Sequence, residues 1–267
     1  MLETVTMASD DESLALYLFL ACVTLGSLLL VFAQPPFGQD LDYHNFADQR
    51  VFLGIENFAD VVSSLGFVIV GAVGASLCRS YKPGVIRAAW SFFFLGVMLV
   101  GPGSVVLHLR PCNATLVLDR LPMSIAFMGL MMALLGEYLG VRFCRICLAP
   151  ALILGLMSVL YWHWFDDLRL YAWVQFFPLV VLPVVALLCR KRHIGQGFLI
   201  VACVCYLLAK VAESYDRDIF ALTHDLVSGH TLKHLLAASA VIAVLFMLKH
   251  STRDGSLQHG GTRHGLD

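Results

Sequence analysis

Five side chains in this sequence are of types that together can hydrolyse a bond: Ser104, His108, Asp119, His230 and His234. His230 and His234 stand four apart in "HTLKH". A helix places residues i and i+4 on one face, where both imidazoles reach a single metal ion. Ser104 and His108 have the same spacing in "GPGSVVLHLR". Three histidines and a water make a tetrahedral zinc site with one open position, the form zinc takes in catalytic sites. A carboxylate beside such a site, here Asp119 in "LDRLPM", can take a proton from the activated water. A serine hydroxyl, here Ser104, can hold a developing oxyanion or orient the water. Each residue also has a plain reading. Interfacial histidines can sit among headgroups. Asp119, in the first turn of its helix, complements the helix dipole beside Arg120, and Ser104 can bond the carbonyl four residues back.

The elements that must position these groups are membrane helices. Apolar residues make up 59% of the 267-residue chain and charged residues 14%, far less charge than a water-soluble domain of this size carries. Eight apolar runs are long enough to cross a bilayer, at roughly 14–33, 58–78, 88–109, 116–137, 143–162, 169–189, 197–213 and 231–248. The seventh is the weakest, because Lys210 and Glu213 interrupt it. The fold class is therefore all-α, a polytopic bundle with a seven-helix core and one extra N-terminal transmembrane helix. The segment before the first run has no Lys or Arg and several acids, unlike a secretory signal peptide, so the run reads as a retained helix. The chain divides into 1–39, carrying that extra helix, a core over 40–248, and a polar tail over 249–267 read as disordered and cytoplasmic. His259 and His264 in that tail are at most weak metal ligands.

Basic residues alternate between connections. Arg79, Lys82 and Arg87 follow the second run, Arg142 and Arg145 the fourth, Arg190, Lys191 and Arg192 the sixth, and Lys249, Arg253 and Arg263 the eighth. The remaining connections are acidic, with Asp40, Asp42 and Asp48, then Asp166 and Asp167, then Asp216, Asp218 and Asp225. The positive-inside rule puts both termini in the cytoplasm and the acidic connections outside. On that threading Ser104, His108, Asp119, His230 and His234 all fall at one depth, in the outer leaflet. Ionisable groups there are costly and usually mark function. Pro122 is expected to kink its helix, and Gly101, Pro102 and Gly103 to loosen theirs, both opening the site.

Net charge is −1, so no basic surface points to nucleic acid, and no glycine-rich phosphate loop or internal repeat is present. The eight cysteines lie mostly inside apolar runs, and Cys144-x-x-Cys147 reads as packing. Lys210 and Glu213 read as an internal ion pair, with a headgroup role as the alternative. "YWHWFDD" reads as an aromatic interface belt, with His163 among headgroups. Asn113-Ala114-Thr115 matches a glycosylation sequon that lies too near the bilayer to be used. Asn57, Asp60 and Ser63 begin the second run at the site's face, where they either line it or, for Asp60, offset the helix dipole.

The motifs Ser104–His108 (S-V-V-L-H), Asp119–Met123 (D-R-L-P-M) and His230–His234 (H-T-L-K-H), in this order over residues 40–248, resemble the three motifs of the alkaline ceramidase family. That family belongs to a superfamily of seven-helix membrane hydrolases that also holds the progestin and adipoQ receptors. The stretch "DYHNFADQRVFLGIENFADVVSSLGF" is similar to the entry region of its bacterial members. The resemblance implies a zinc amidase that cleaves ceramide or a similar membrane lipid into a sphingoid base and a fatty acid. His108, His230 and His234 would bind Zn2+, Asp119 would activate the water, and Ser104 would help stabilise the tetrahedral intermediate. In the family's animal enzymes an acidic N-terminal loop binds Ca2+. Here Asp42, Asp48 and Glu56 could offer oxygens, but Asn45 and Ala47 replace expected acids, so a solvated acidic loop is preferred. The implied location is a bacterial inner membrane, or the ER or Golgi in a eukaryote, with no protein partner. The rival readings are a receptor-like superfamily member with structural zinc and a lipid ligand, a hydrolase of another lipid amide or ester, and a transporter. The last needs a polar path to the inner face, and the nearly uncharged helix centres offer none.

Overall fold

In lipid every backbone N–H and C=O must be bonded within its own segment, so long apolar runs become helices. The computed structural model describes residues 10–188 and 195–260, and among these it has helices and no strands. They are α1 (Asp10–Phe32), a 3-10 turn (Leu41–His44), α2 (Phe58–Cys78), α3 (Val85–Leu109), α4 (Asn113–Leu139), α5 (Val141–Phe165), α6 (Arg169–Leu188), α7 (Gln196–Ser214), α8 (Asp216–Leu222) and α9 (Gly229–Gly260). Eight of them are long and apolar enough to span a membrane, all but the 3-10 turn and the short α8. The protein is an integral, multi-pass membrane protein. Arg190, Lys191, Arg192, Arg263 and His264 lie outside the described residues.

α4 is the most enclosed span, packed against α3, α5 and α6, while α2 bridges α3 and α9 and α7 lies along α9. α1 stands outside this core. It leans on α6, where Trp173 Nε1 donates to Ser27 Oγ (2.9 Å), and stacks Tyr17 on Phe143 of α5 (5.8 Å). Toward α6, α7 offers one side-chain hydrogen bond, Gln175 Nε2 to Tyr206 Oη (2.6 Å).

The α3–α4 seam is close because glycines line it. A Cβ on Gly96 would meet Ala126 N at 2.7 Å, and one on Gly129 would meet Phe93 N at 2.6 Å. Small residues let membrane helices approach backbone to backbone, where dispersion and not hydrophobic burial holds them. Gly103 belongs to the same seam: a Cβ there would stand 2.9 Å from the Leu118 carbonyl carbon and 3.1 Å from Asp119 Cα. Gly101 packs the other way, onto Val68 and the Ser64 carbonyl of α2. The Gly101–Gly103 stretch therefore tightens helix packing and does not loosen it. Pro122 leaves the Leu118 carbonyl without its usual donor four residues on, yet α4 runs through it unbroken, with that carbonyl seated against Gly103.

Several boundaries differ from the sequence expectation. α4 begins at Asn113, because Cys112 and Thr115 form a capping box (Cys112 N–H to Thr115 Oγ1, 3.3 Å). Asp119 is thus in the second turn, past the reach of the helix-end dipole. The connection before α9 holds the short α8. α9 continues to Gly260, so residues 249–260 are helical where a disordered tail is expected; no proline interrupts them, and a single Gly255 costs only about 1 kcal/mol.

Candidate metal centre

α2 and α4 start, and α3 ends, at the same end of the bundle where α9 begins. The site forms there. His108 sits in the last turn of α3, and His230 and His234 in the first two turns of α9. Their exposures are 0%, 3% and 2%. Ring centroids are 4.9 Å apart for His108–His230, 5.2 Å for His108–His234 and 4.9 Å for His230–His234. One nitrogen from each ring lies within 4.8 Å of the others, close enough for one ion to hold all three. No other such group of His, Cys, Asp or Glu occurs among the described residues.

The ring environments favour a metal. Both nitrogens of His108 are buried without a hydrogen-bond partner, an arrangement that costs about 1–3 kcal/mol if nothing binds there. Asn57 fixes the backbone behind that ring, donating Nδ2–H to the His108 carbonyl at 2.8 Å. His234 Nδ1 is engaged by Ser63 Oγ (2.8 Å), which leaves Nε2 as the nitrogen that could hold an ion. Lys233 Nζ donates to His230 Nε2 at 3.1 Å. Phe46 wedges against His108 and His230, with centroids at 4.6 and 4.7 Å, and Phe67 flanks His234 at 5.5 Å.

Helix α9 is held in register by two carboxylates. Asp216 Oδ1 accepts the His230 backbone N–H at 2.7 Å, capping the helix start. Asp60, fully buried in α2, accepts Thr231 Oγ1–H at 2.6 Å and Ser228 Oγ–H at 3.4 Å through Oδ1, while its Oδ2 has no partner. Asp60 is thus a strut between α2 and α9, and it stands in the first turn of α2, where the helix dipole also favours a carboxylate.

Ser104 is buried, and its Oγ stands 3.0 Å from Ser64 Oγ, which donates to the Asp60 carbonyl at 2.7 Å. Its partner is a neighbouring helix and not the carbonyl four residues back. Asp119 is 6% exposed and makes no hydrogen bond to any described side chain. Its backbone rests on Gly103, the residue before Ser104, and its carboxylate feels the charges of Lys233 and Arg120.

A charge cluster adjoins the histidines. Glu213 pairs with Lys210, as the spacing implies, and also with Lys233 (2.9 Å), and it accepts the Tyr43 hydroxyl at 3.0 Å. Lys233 was legible, lying three residues after His230 in the quoted motif. Tyr43 and Phe46 lie in the entry segment, but nothing in its spacing marks them for the site; Tyr43 comes from the 3-10 turn and Phe46 from the loop after it.

The acidic loop does not gather. Asp42 pairs with Arg217 (3.2 Å), Asp48 with Arg50 (2.6 Å), and Glu56 is exposed. Asp42 and Glu56 stay exposed, as a solvated acidic loop has them, and Asp48 alone is buried, against Arg50 two residues on. Calcium ligands from Asp42, Asp48 and Glu56 are not brought together. Trp162 is also displaced from its expected place: it is 1% exposed, inside the bundle, while Trp164 and Phe165 stay on the surface. The sequon residue Asn113 bonds His44 (2.8 Å). Among the cysteines, Cys144 is buried and presses on Gly136, the packing role expected of it.

No family model matches the chain, and no curated protein matches it.

Proposed function

We propose that the protein is a zinc-dependent lipid amidohydrolase that cleaves ceramide, or a membrane amide of that kind, into a sphingoid base and a fatty acid. The observation that carries this is His108: a fully buried imidazole with both nitrogens unbonded, facing two more imidazoles at ligand distance. Three neutral nitrogen donors suit zinc, and bound there it supplies the Lewis acidity that makes water nucleophilic near neutral pH and polarises a carbonyl.

The chain's own groups perform the rest. Asp119 takes the proton of the attacking water and returns it to the leaving nitrogen, so that the C–N bond breaks as a C–O bond forms. Its carboxylate is free of hydrogen bonds and able to exchange that proton. The Ser104 hydroxyl donates to the carbonyl oxygen as negative charge builds on it. Asp60, Asp216 and Ser63 hold the imidazoles in place. Glu213 keeps the Lys233 ammonium beside His230 neutralised when a second cation sits nearby.

The orientation follows from charge. Arg79, Lys82, Arg87, Arg142 and Arg145 lie at the end away from the histidines. At the site end, Arg50, Arg169 and Arg217 are each paired with an aspartate. The positive-inside rule then turns the site to the periplasm or lumen, at headgroup depth, where the amide of a sphingolipid resides.

Purified protein loaded with zinc is expected to release fatty acid and sphingoid base from ceramide, read by mass spectrometry. His230→Ala is expected to lose bound zinc and hydrolysis together. Stoichiometric zinc in folded H230A, by elemental analysis, overturns the ligand set; no release by the zinc-loaded wild type from any lipid amide overturns the reaction.

A further inference from the structure

Next to Asp119 the bundle buries a guanidinium that the hydrolytic reading does not use. Arg120 is 8% exposed. Its guanidinium lies 4.3 Å from the Trp162 ring, 4.8 Å from Tyr171 and 5.8 Å from Tyr43. One terminal nitrogen, Nη2, donates to Gln39 Oε1 at 2.6 Å. The other, Nη1, is buried with no hydrogen-bond partner, and so is Nε1 of the stacked Trp162. No ion pair to Arg120 exists among the described residues.

Aromatic faces accommodate a guanidinium, but they leave its N–H donors unspent. Two buried donors, one of them charged, are therefore left without an acceptor on a guanidinium and the ring it lies over. What satisfies both is a ligand rich in acceptor oxygens and negative in charge. The surroundings fix its other half. Leu107, Leu116, Val159 and Tyr171 form one apolar cluster with Trp162 and with Phe46, which itself touches His108 and His230. A free, hydrated anion would lose water there for nothing, whereas an anion carried on an acyl chain brings apolar surface to the same wall.

We propose that Arg120, with Trp162, is a recognition site for a lipid-borne oxyanion, a fatty-acid carboxylate or an anionic headgroup. Binding does not require hydrolysis, so it is tested on metal-stripped, full-length protein in neutral detergent. The probes are palmitate, a lysophosphatidylglycerol, inorganic phosphate and uncharged hexadecanol. One or both anionic lipids are expected to bind saturably and more tightly than hexadecanol. Arg120→Gln is expected to weaken that binding about tenfold or more, the scale of a charge-assisted hydrogen bond, and to leave hexadecanol unchanged. Preference for palmitate assigns the carboxylate, and preference for the lysolipid assigns the headgroup. Equal affinities in wild type and R120Q overturn the site, and phosphate binding as tightly as either lipid overturns its lipid character. Should R120Q not fold, the wild type still decides. The anionic lipid must change tryptophan emission where hexadecanol does not, and Trp162→Phe must abolish that change; a response surviving in W162F overturns the proposal. Palmitate bound by a chain that releases nothing from ceramide would sustain this site and sink the amidase reading, and the converse result would do the opposite.

Discussion

Gly103→Ala adds one methyl group at the point where α3 and α4 come closest to the site. The added carbon would stand 2.9 Å from the Leu118 carbonyl carbon and 3.1 Å from Asp119 Cα, with the carbonyl oxygen nearer still. Carbon atoms in contact settle at about 3.5–4.0 Å, so the two backbones must part by roughly 0.5–1 Å. The obstructing atoms are backbone and cannot rotate aside. The cost is that of overpacking, about 1–3 kcal/mol, which a thermal melt in detergent resolves. The chemical consequence is larger. Asp119 moves with α4, while His108 and Ser104 stay with α3. A displacement near 1 Å between catalytic groups is worth about 10²-fold in turnover. The three imidazoles reside on α3 and α9 and keep their spacing, so zinc content should stay at wild-type level. Gly66→Ala is the control: its Cβ would find Ala238 at an ordinary 3.7 Å, and it should leave both melting and turnover near wild type. A G103A chain with wild-type turnover and stability would refute the claim that this seam positions Asp119.

Asp119→Asn should retain zinc by elemental analysis and lose about 10²-fold or more in turnover, since an amide cannot take up the proton; undiminished turnover removes Asp119 from the mechanism. Glu213→Gln strips the carboxylate from two half-buried lysines and should lower stability by about 1.5–3 kcal/mol, the scale of hydrogen bonds to charged groups; a melt unchanged to within about 1 kcal/mol shows that the pair is dispensable. For acid sensitivity the informative groups lie outside the spans. Burial alone would push the Asp48 carboxyl up, but bonds from Arg50 outweigh it and hold it below the usual carboxylate range. Hydrogen bonding from Arg169 does the same for Asp167. A depressed native pKa contributes stability that is present above the unfolded value, about 3.9, and is lost as pH falls through the native one. Melting temperature should therefore fall below about pH 4, less steeply in Asp48→Asn, and an identical acid limb in D48N would show that the Arg50 pair contributes nothing.

The spans were legible because hydrocarbon thickness sets their length and twenty apolar residues in a row have few other uses. The convergence of His108, His230 and His234 was legible for a related reason: alternate connections must face the same side, so the end of α3 and the start of α9 share a depth whatever their separation in sequence. Ser63 at the second helix start followed from the same alternation. What stayed hidden depends on side-chain packing. Trp162 looks like an interface aromatic in one dimension, and only the neighbouring Arg120 draws it inside. Asp48 looks like a solvated acid, and only Arg50 two residues on explains its burial. The start of α4 rests on a cysteine–threonine box, a cap without the usual Ser, Asp or Asn signature. The seven-residue α8 has too few apolar positions to show a period.

The distribution of unmet hydrogen bonds ties these features to function. Away from the site, described buried polar groups find partners: Trp90 Nε1 donates to Glu137 at 2.8 Å, Trp173 to Ser27 at 2.9 Å, Gln175 to Tyr206 at 2.6 Å. At the histidine end the matching stops. His44, Asp60, His108, Arg120 and Trp162 each bury a side-chain atom that no described residue bonds. At about 1–3 kcal/mol apiece, such a concentration would be selected against in a bundle built for stability alone. The orphans also differ in kind. His108 offers lone pairs, which call for a cation, whereas Arg120 and Trp162 offer protons, which call for an anion. Phe46 and its apolar cluster form the wall between them. On the proposed reading, one end of the bundle carries a metal site and an oxyanion site joined through Phe46 and its apolar cluster, the arrangement by which a hydrolase of membrane lipids grips its carboxylate product, or an anionic headgroup, beside the ion.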